Sequence, residues 1–128
     1  MYNAIVRRNT DQRQSVLRSL QQTGRPLSAR ELHSTARKSC PGIGIATIYR
    51  TVKSLLTEGD VSLVELPGEP PRYEFAGKRH HHHFSCRECG KVYEIEGCRG
   101  NFKSLTPPGF RLQAHDMILT GTCASCVG

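Results

Sequence analysis

Ala46-Thr47-Ile48-Tyr49-Arg50-Thr51-Val52-Lys53-Ser54-Leu55-Leu56 decides how the first half of this chain folds. Ile48, Val52, Leu55 and Leu56 recur at the spacing of one helical face, while Thr47, Tyr49, Arg50 and Lys53 fall on the other. Gly59 ends that helix. Two strand-like runs follow, Val61 to Leu66 and Arg72 to Phe75, joined by Pro67-Gly68-Glu69-Pro70-Pro71. Working back toward the N-terminus, Ser39-Cys40-Pro41-Gly42-Ile43-Gly44 reads as a turn. Before it, Ser28 with Glu31 three residues on has the form of a capping box, and Leu32 and Ala36 give this second helix a buried side. A first helix is expected over residues 10–22, capped at Thr10 or Asp11, with Val16, Leu17 and Leu20 as its apolar stripe and Gly24-Arg25-Pro26 as its break. Three short helices followed by a hairpin make the layout of a winged helix-turn-helix over residues 1–76.

A helix of this kind enters a major groove if its outward side chains reach base edges and phosphates. Tyr49 and Arg50 are the best placed. Arg can pair with guanine through two hydrogen bonds, and Tyr can pack on a thymine methyl or hold a phosphate. Thr47, near the helix start, suits a phosphate or base contact; Arg7, Arg8, Arg13 and Lys53 suit backbone contacts. The charge balance agrees. The formal net charge is +7 and the pI about 9.4, with the positive excess mostly in residues 1–60, a surface that attracts polyanions.

Composition shifts at Ala76-Gly77-Lys78-Arg79, and residues 77–79 are expected to link a second domain over 80–128. His80–Ser85, Lys91–Ile95 and Phe110–Leu119 read as strands there, and Cys98–Leu105 as a short helix stopped by Pro107-Pro108-Gly109. Cys86-Arg87-Glu88-Cys89 and Cys123-Ala124-Ser125-Cys126 are two C-x-x-C pairs with 33 residues between Cys89 and Cys123. Each pair lets two sulfurs face one ion from a tight turn, and Gly90 suits such a knuckle, so Cys86, Cys89, Cys123 and Cys126 are expected to hold a structural zinc. A redox dithiol would not need two spaced pairs, and a cytosolic location disfavours disulfides.

His80-His81-His82-His83 has a simple geometric meaning. On a strand alternate side chains share a face, so His81 and His83 look one way and His80 and His82 the other, and one segment can feed two metal sites. Glu74, Glu94 and His115 are nearby groups able to complete such sites. Nitrogen and oxygen ligands suit Zn, Fe(II), Mn or Ni. Cys98 reads equally as a ligand, a redox sensor or an inert thiol. Cys40 is expected to be structural or incidental, and His33 a helix surface residue. A chain of 128 residues, 37% hydrophobic and without Trp, has a modest core that a metal would help to hold. No apolar run is long enough to cross a membrane, and Met1–Arg8 lacks the order of a signal peptide, so a cytoplasmic protein is expected.

In order, Thr10-Asp11-Gln12-Arg13, Gly44-Ile45-Ala46-Thr47-Ile48-Tyr49-Arg50, Tyr73-Glu74-Phe75, His80–His83, Cys86-x-x-Cys89-Gly90-Lys91-Val92 and Gly121-Thr122-Cys123-x-x-Cys126 resemble the successive signatures of the ferric uptake regulator family. The resemblance covers nearly the whole chain. It implies an α+β protein, an N-terminal winged helix-turn-helix DNA-binding domain followed by a small α/β dimerisation domain with a four-cysteine zinc site. It implies a homodimeric repressor of metal uptake genes, bound to a palindromic operator in double-stranded DNA, with no enzyme activity. It also implies a sensor metal on Glu74, His81, His83 and Glu94, and a further site on His80, His82 and His115, with Cys98 or water in place of an acidic ligand that this chain lacks. The regulatory ion is expected to be Zn2+ or Fe2+, with Mn2+ behind them; zinc uptake control is the first expectation and iron the next. Relatives often place a histidine before the second helix where this chain has Arg25-Pro26-Leu27. Three alternatives stand beside this reading: a constitutive DNA-binding regulator whose metals are only structural, a peroxide- or redox-responsive member of the same family, and a metalloenzyme such as a hydrolase.

Overall fold

The computed structural model describes residues 2–128, with side chains from Thr10 onward. The side chains of Arg7 and Arg8 therefore lie outside the described residues. The chain divides into two compact units, Met1–Gly77 and Lys78–Gly128.

The first unit runs α1 (Tyr2–Thr23), β1 (Leu27–Ser28), α2 (Ala29–Ala36), α3 (Ile45–Glu58), β2 (Val61–Val64) and β3 (Arg72–Phe75). Its core is built by the apolar stripes. Val16 and Leu20 of α1, Leu32 and Ala36 of α2, and Ile48, Val52 and Leu55 of α3 are all buried together, with Leu17 and Leu56 partly buried against them. The capping box forms: Glu31 N–H donates to Ser28 Oγ, and the Glu31 carboxylate accepts from Ser28 N–H. Gly59 closes α3 in the left-handed conformation (φ +82°) that glycine takes without strain. The hairpin β2–β3 gains a third strand that sequence periodicity does not reveal. Leu27 and Ser28 pair with Tyr73 and Arg72, giving the order β1-β3-β2. Two residues are too few to show an alternation. Helix boundaries also move outward: α1 reaches back to Tyr2, and α3 spans Ile45–Glu58 rather than 46–56. β2 stops at Val64, short of the expected Leu66.

The second unit is a three-stranded sheet, β4 (His82–Cys86), β5 (Val92–Ile95) and β6 (Ile118–Gly121), plus a 3-10 turn at Phe102–Leu105. β4 is central. It pairs antiparallel with β5 and parallel with β6. The strand expected over Phe110–Leu119 is confined to its end, and residues 110–117 take no regular form. β6 pairs with β4 from His83 opposite Ile118, and β4 begins only at His82, so on that edge residues 110–116 have no strand opposite them. Phe110 and Leu112 are exposed in consequence. The expected helix over 98–105 shrinks to four residues, with Gly97 and Gly100 weakening its start. Among the described residues no helix is long and apolar enough to cross a membrane.

Candidate functional site

On α3 the outward residues lie where the sequence placed them. Tyr49 is 53% exposed, Arg50 and Lys53 are exposed, and Thr47 is half-buried beside them. Arg50 Nη2 donates to Thr47 Oγ1 at 3.0 Å, a contact within one helix that holds the guanidinium at the helix start. Thr10, Gln12 and Arg13 of α1 join Thr47, Arg50, Thr51 and Ser54 of α3 around a polar groove. Arg13 is engaged otherwise: its guanidinium pairs with Glu58 and with Asp60 (2.5 Å), tying α1 to the end of α3.

In the second unit the parallel pairing of β4 and β6 assembles the cysteines. Cys86 is the last residue of β4 and lies opposite Gly121, so the two knuckles leave the same end of the sheet. Each is closed by a backbone hydrogen bond, Gly90 N–H to Cys86 O and Cys126 N–H to Cys123 O, both 3.0 Å. Zn–S bonds of about 2.3 Å separate the sulfurs of a tetrahedral set by about 3.8 Å. Cys89 Sγ and Cys123 Sγ are 3.8 Å apart, and all four sulfurs lie within 4.8 Å of one another, so the donor set fits zinc. The Cys86 thiol is lowered to about 6 by backbone N–H groups of Cys89 and Cys123 that point at its sulfur. The Tyr93 hydroxyl bonds the Cys123 sulfur, which favours that thiolate and pushes the phenol up to about 12. Cys126, bonded to the Cys123 sulfur, is pushed up to about 12. Four thiolates this close repel, and a cation among them removes that repulsion. Tyr93 carries no spacing signal in the sequence; only the fold brings it to the sulfur.

β4 begins at His82 rather than His80, so His80 and His81 precede the strand, yet the run still divides into the expected pairs. His81 and His83 rings lie 4.8 Å apart. Register pairing of His83 with Glu94 brings the carboxylate to them, its Oε1 3.6 Å from His81 Nε2. Glu94 Oε2 also meets Lys78 Nζ at 3.2 Å. His81 Nδ1 lies 2.7 Å from the Arg79 carbonyl, a bond that needs the proton on Nδ1 and leaves Nε2 a lone pair for a metal. Glu74 belongs to the first unit, on β3 opposite Ser62. Arg25, at the position before α2, pairs with Glu31 at 2.9 Å.

On the other face His80, His82, Cys98 and His115 bring one ligand atom each within 4.8 Å of the others. His80 Nε2 is 3.0 Å from His115 Nε2, Cys98 Sγ is 3.1 Å from His115 Nε2, and His82 Nε2 is 3.3 Å from Cys98 Sγ. Phe102 stacks on His115 with centroids 4.0 Å apart. Burial, followed by repulsion from His80 and His82, lowers the His115 pKa. Asp116, unremarked in the sequence, has Oδ1 3.7 Å from His82 Nδ1. His33 is not a free surface residue: its Nε2 lies 3.0 Å from the Ile43 carbonyl. Cys40 packs partly buried against the first unit's core.

Residues 6–120 match the model of the ferric uptake regulator family. The ferric uptake regulation protein of Campylobacter jejuni is 32% identical over 122 residues, covering 91% of this chain and 78% of that one. The zinc uptake regulation protein of Mycobacterium tuberculosis is also 32% identical over 122 residues, covering 93% and 94%. Among solved structures, the Helicobacter pylori ferric uptake regulator, described with three functional metal binding sites, superposes with TM-score 0.69 at 29% identity, over 90% of this chain and 79% of that one.

Proposed function

This chain belongs to the ferric uptake regulator family, and from that premise we propose that it is a cytoplasmic, metal-responsive repressor acting as a homodimer on double-stranded DNA. The observation that carries the reading is the solvent-facing set Tyr49, Arg50 and Lys53 on α3, in a chain that also gathers built clusters of metal-ligating side chains. Arg50 would pair with a guanine, Tyr49 with a thymine methyl or a phosphate, and Thr47 and Lys53 with the backbone. Arg13 reaches a phosphate only by leaving Glu58 and Asp60. Two-fold related subunits match a palindromic operator.

Cys86, Cys89, Cys123 and Cys126 would hold a structural zinc that fastens the two knuckles. Glu74, His81, His83 and Glu94 would hold the regulatory ion, Zn2+ first and Fe2+ next. His80, His82, His115 and Cys98 would hold a further one. The regulatory ion supplies positive charge to ligands contributed by both units, and it favours DNA binding only as far as it prefers the DNA-competent arrangement. A coupling of about 1–3 kcal/mol changes DNA affinity about 5- to 150-fold. The tautomer of His81 and the Glu94 register support this ligand set.

The test uses the full chain and an operator duplex selected from a random library. With zinc kept on the cysteines, added Zn2+ or Fe2+ is expected to tighten binding by the factor above. Affinity indifferent to either ion would instead support a constitutive regulator.

A further inference from the structure

The cluster on the His80/His82 face differs from an ordinary nitrogen and oxygen site in one atom, the sulfur of Cys98. Tetrahedral ligation at about 2.0–2.1 Å for nitrogen and about 2.3 Å for sulfur sets neighbouring ligand atoms about 3.3–3.6 Å apart. The separations of 3.0, 3.1 and 3.3 Å among these four residues lie within a few tenths of that, so small rotations of the side chains admit an ion. His82 Nδ1 accepts from Met117 N–H at 3.1 Å, and its Nε2 faces the sulfur. Ligation through Nε2 moves the ring proton to Nδ1 and so gives up the bond from Met117 N–H; the Asp116 carboxylate, 3.7 Å from Nδ1, is the acceptor that a small ring rotation could bring to it instead. Three imidazoles and one thiolate form a closed set that suits zinc better than Fe(II) or Mn(II), because sulfur is the softer donor.

The place of Cys98 gives that sulfur a second property. In the four-cysteine set Cys86 and Cys123 are buried, at 2% and 7% exposure, Cys126 is half-buried and Cys89 exposed, and the Cys86 sulfur accepts backbone N–H groups. Cys98 is exposed, outside any helix or strand, and follows Gly97 at φ +76°. Its sulfur contacts are two imidazoles. A sulfur so exposed is open to small oxidants.

Resting on the further metal site proposed above, we infer that Cys98 is a direct sulfur ligand to zinc and that a hydroperoxide releases this ion by oxidising it. The Cys98 sulfur attacks one peroxide oxygen and an S–O bond forms as the O–O bond breaks. Sulfur gives up two electrons, the peroxide gains them, and the leaving oxygen takes a proton from solvent as water or an alcohol. The product is a neutral sulfenic acid, a far weaker ligand than the thiolate, and three imidazoles remain. The consequence reaches beyond the ion. His82 lies in the central strand, whereas Cys98 and His115 bracket the irregular stretch carrying Phe102, Leu105, Phe110 and Leu112. Leu105 and Phe110 are exposed, at 77% and 72%. Zinc therefore pins this stretch to β4, and oxidation frees it.

The test loads the cysteine knuckles of the full chain with zinc and then titrates Co(II). A sulfur-to-cobalt charge-transfer band is expected in the parent and is expected to vanish in Cys98→Ser, while that variant keeps its knuckle zinc. Cobalt bound at the His80/His82 face without such a band overturns the inference but leaves the further site standing. No cobalt uptake that depends on His80 and His115 overturns both. In a second arm, zinc-loaded parent is treated with one equivalent of hydrogen peroxide beside a chromophoric chelator. One zinc per chain is expected to be released, with one oxygen gained on the Cys98 peptide and faster hydrogen exchange over residues 98–116. Release accompanied by oxidation of Cys86, Cys89, Cys123 or Cys126 instead, or Cys98 oxidised with its zinc retained, overturns it.

Discussion

Arg50 and Arg13 show how two arginines of one groove take different roles. The Arg50 guanidinium bonds Thr47 on its own helix, so Arg50→Ala should barely change stability. It should weaken operator binding by about 1–3 kcal/mol if the side chain pairs with guanine, read by fluorescence anisotropy at fixed salt. An unchanged affinity would remove Arg50 from the interface. Arg13 faces two carboxylates that are about half exposed, at 51% and 49%. Arg13→Ala should therefore cost at most about 1 kcal/mol of stability by denaturant melt. At this scale the sequence was most readable where chemistry and periodicity coincide. Tyr49 and the cysteines stood out by type and spacing. The Arg13 ion pairs, Tyr93 on Cys123 and Asp116 near His82 did not, because their partners are 30 or more residues away along the chain and nothing local marks them.

At the scale of elements, each helix of the first unit is fixed by signals that agree with one another. Ser28→Ala removes one half of a reciprocal cap and should cost about 0.5–2 kcal/mol. Leu32→Ala, at a fully buried site, should cost about 2–5 kcal/mol. Thermal melts of the two variants would reverse that ranking only if α2 were not packed in the core. The winged helix was legible because its stripes and breakers are local. β1 was not, since two residues beside β3 form a strand only by tertiary pairing. Residues 110–117 alternate like a strand, but in the β4–β6 register they run past the start of β4 at His82 and meet no partner strand there. The zinc knuckles follow the opposite logic. Their spacing was plain, yet only the parallel β4–β6 pair explains why Cys86 and Cys123 meet. The hydrogen bond to Cys123 pushes the Cys126 thiol up, and zinc must displace its proton, so zinc affinity at the knuckles should rise with pH from about 6 upward. Competition with a chromophoric chelator reads this directly, and a flat profile would mean that the cysteines are not the ligands.

For the whole molecule, regulation as proposed turns on an ion shared by Glu74 with His81, His83 and Glu94. The family match makes a metal-responsive regulator the natural frame. Arg25 is paired with Glu31 at 2.9 Å, so the Arg25-Pro26-Leu27 stretch supplies no imidazole to the proposed site. Phosphate contacts by a basic first unit predict that log affinity falls linearly with log salt, with or without the regulatory ion. The decisive experiment is operator affinity with and without added zinc for the parent, Glu74→Ala and His83→Ala, each with its knuckle zinc confirmed. Zinc is expected to tighten binding by about 5- to 150-fold in the parent and little or not at all in either variant. Variants that respond to zinc as the parent does would contradict the shared-ion mechanism.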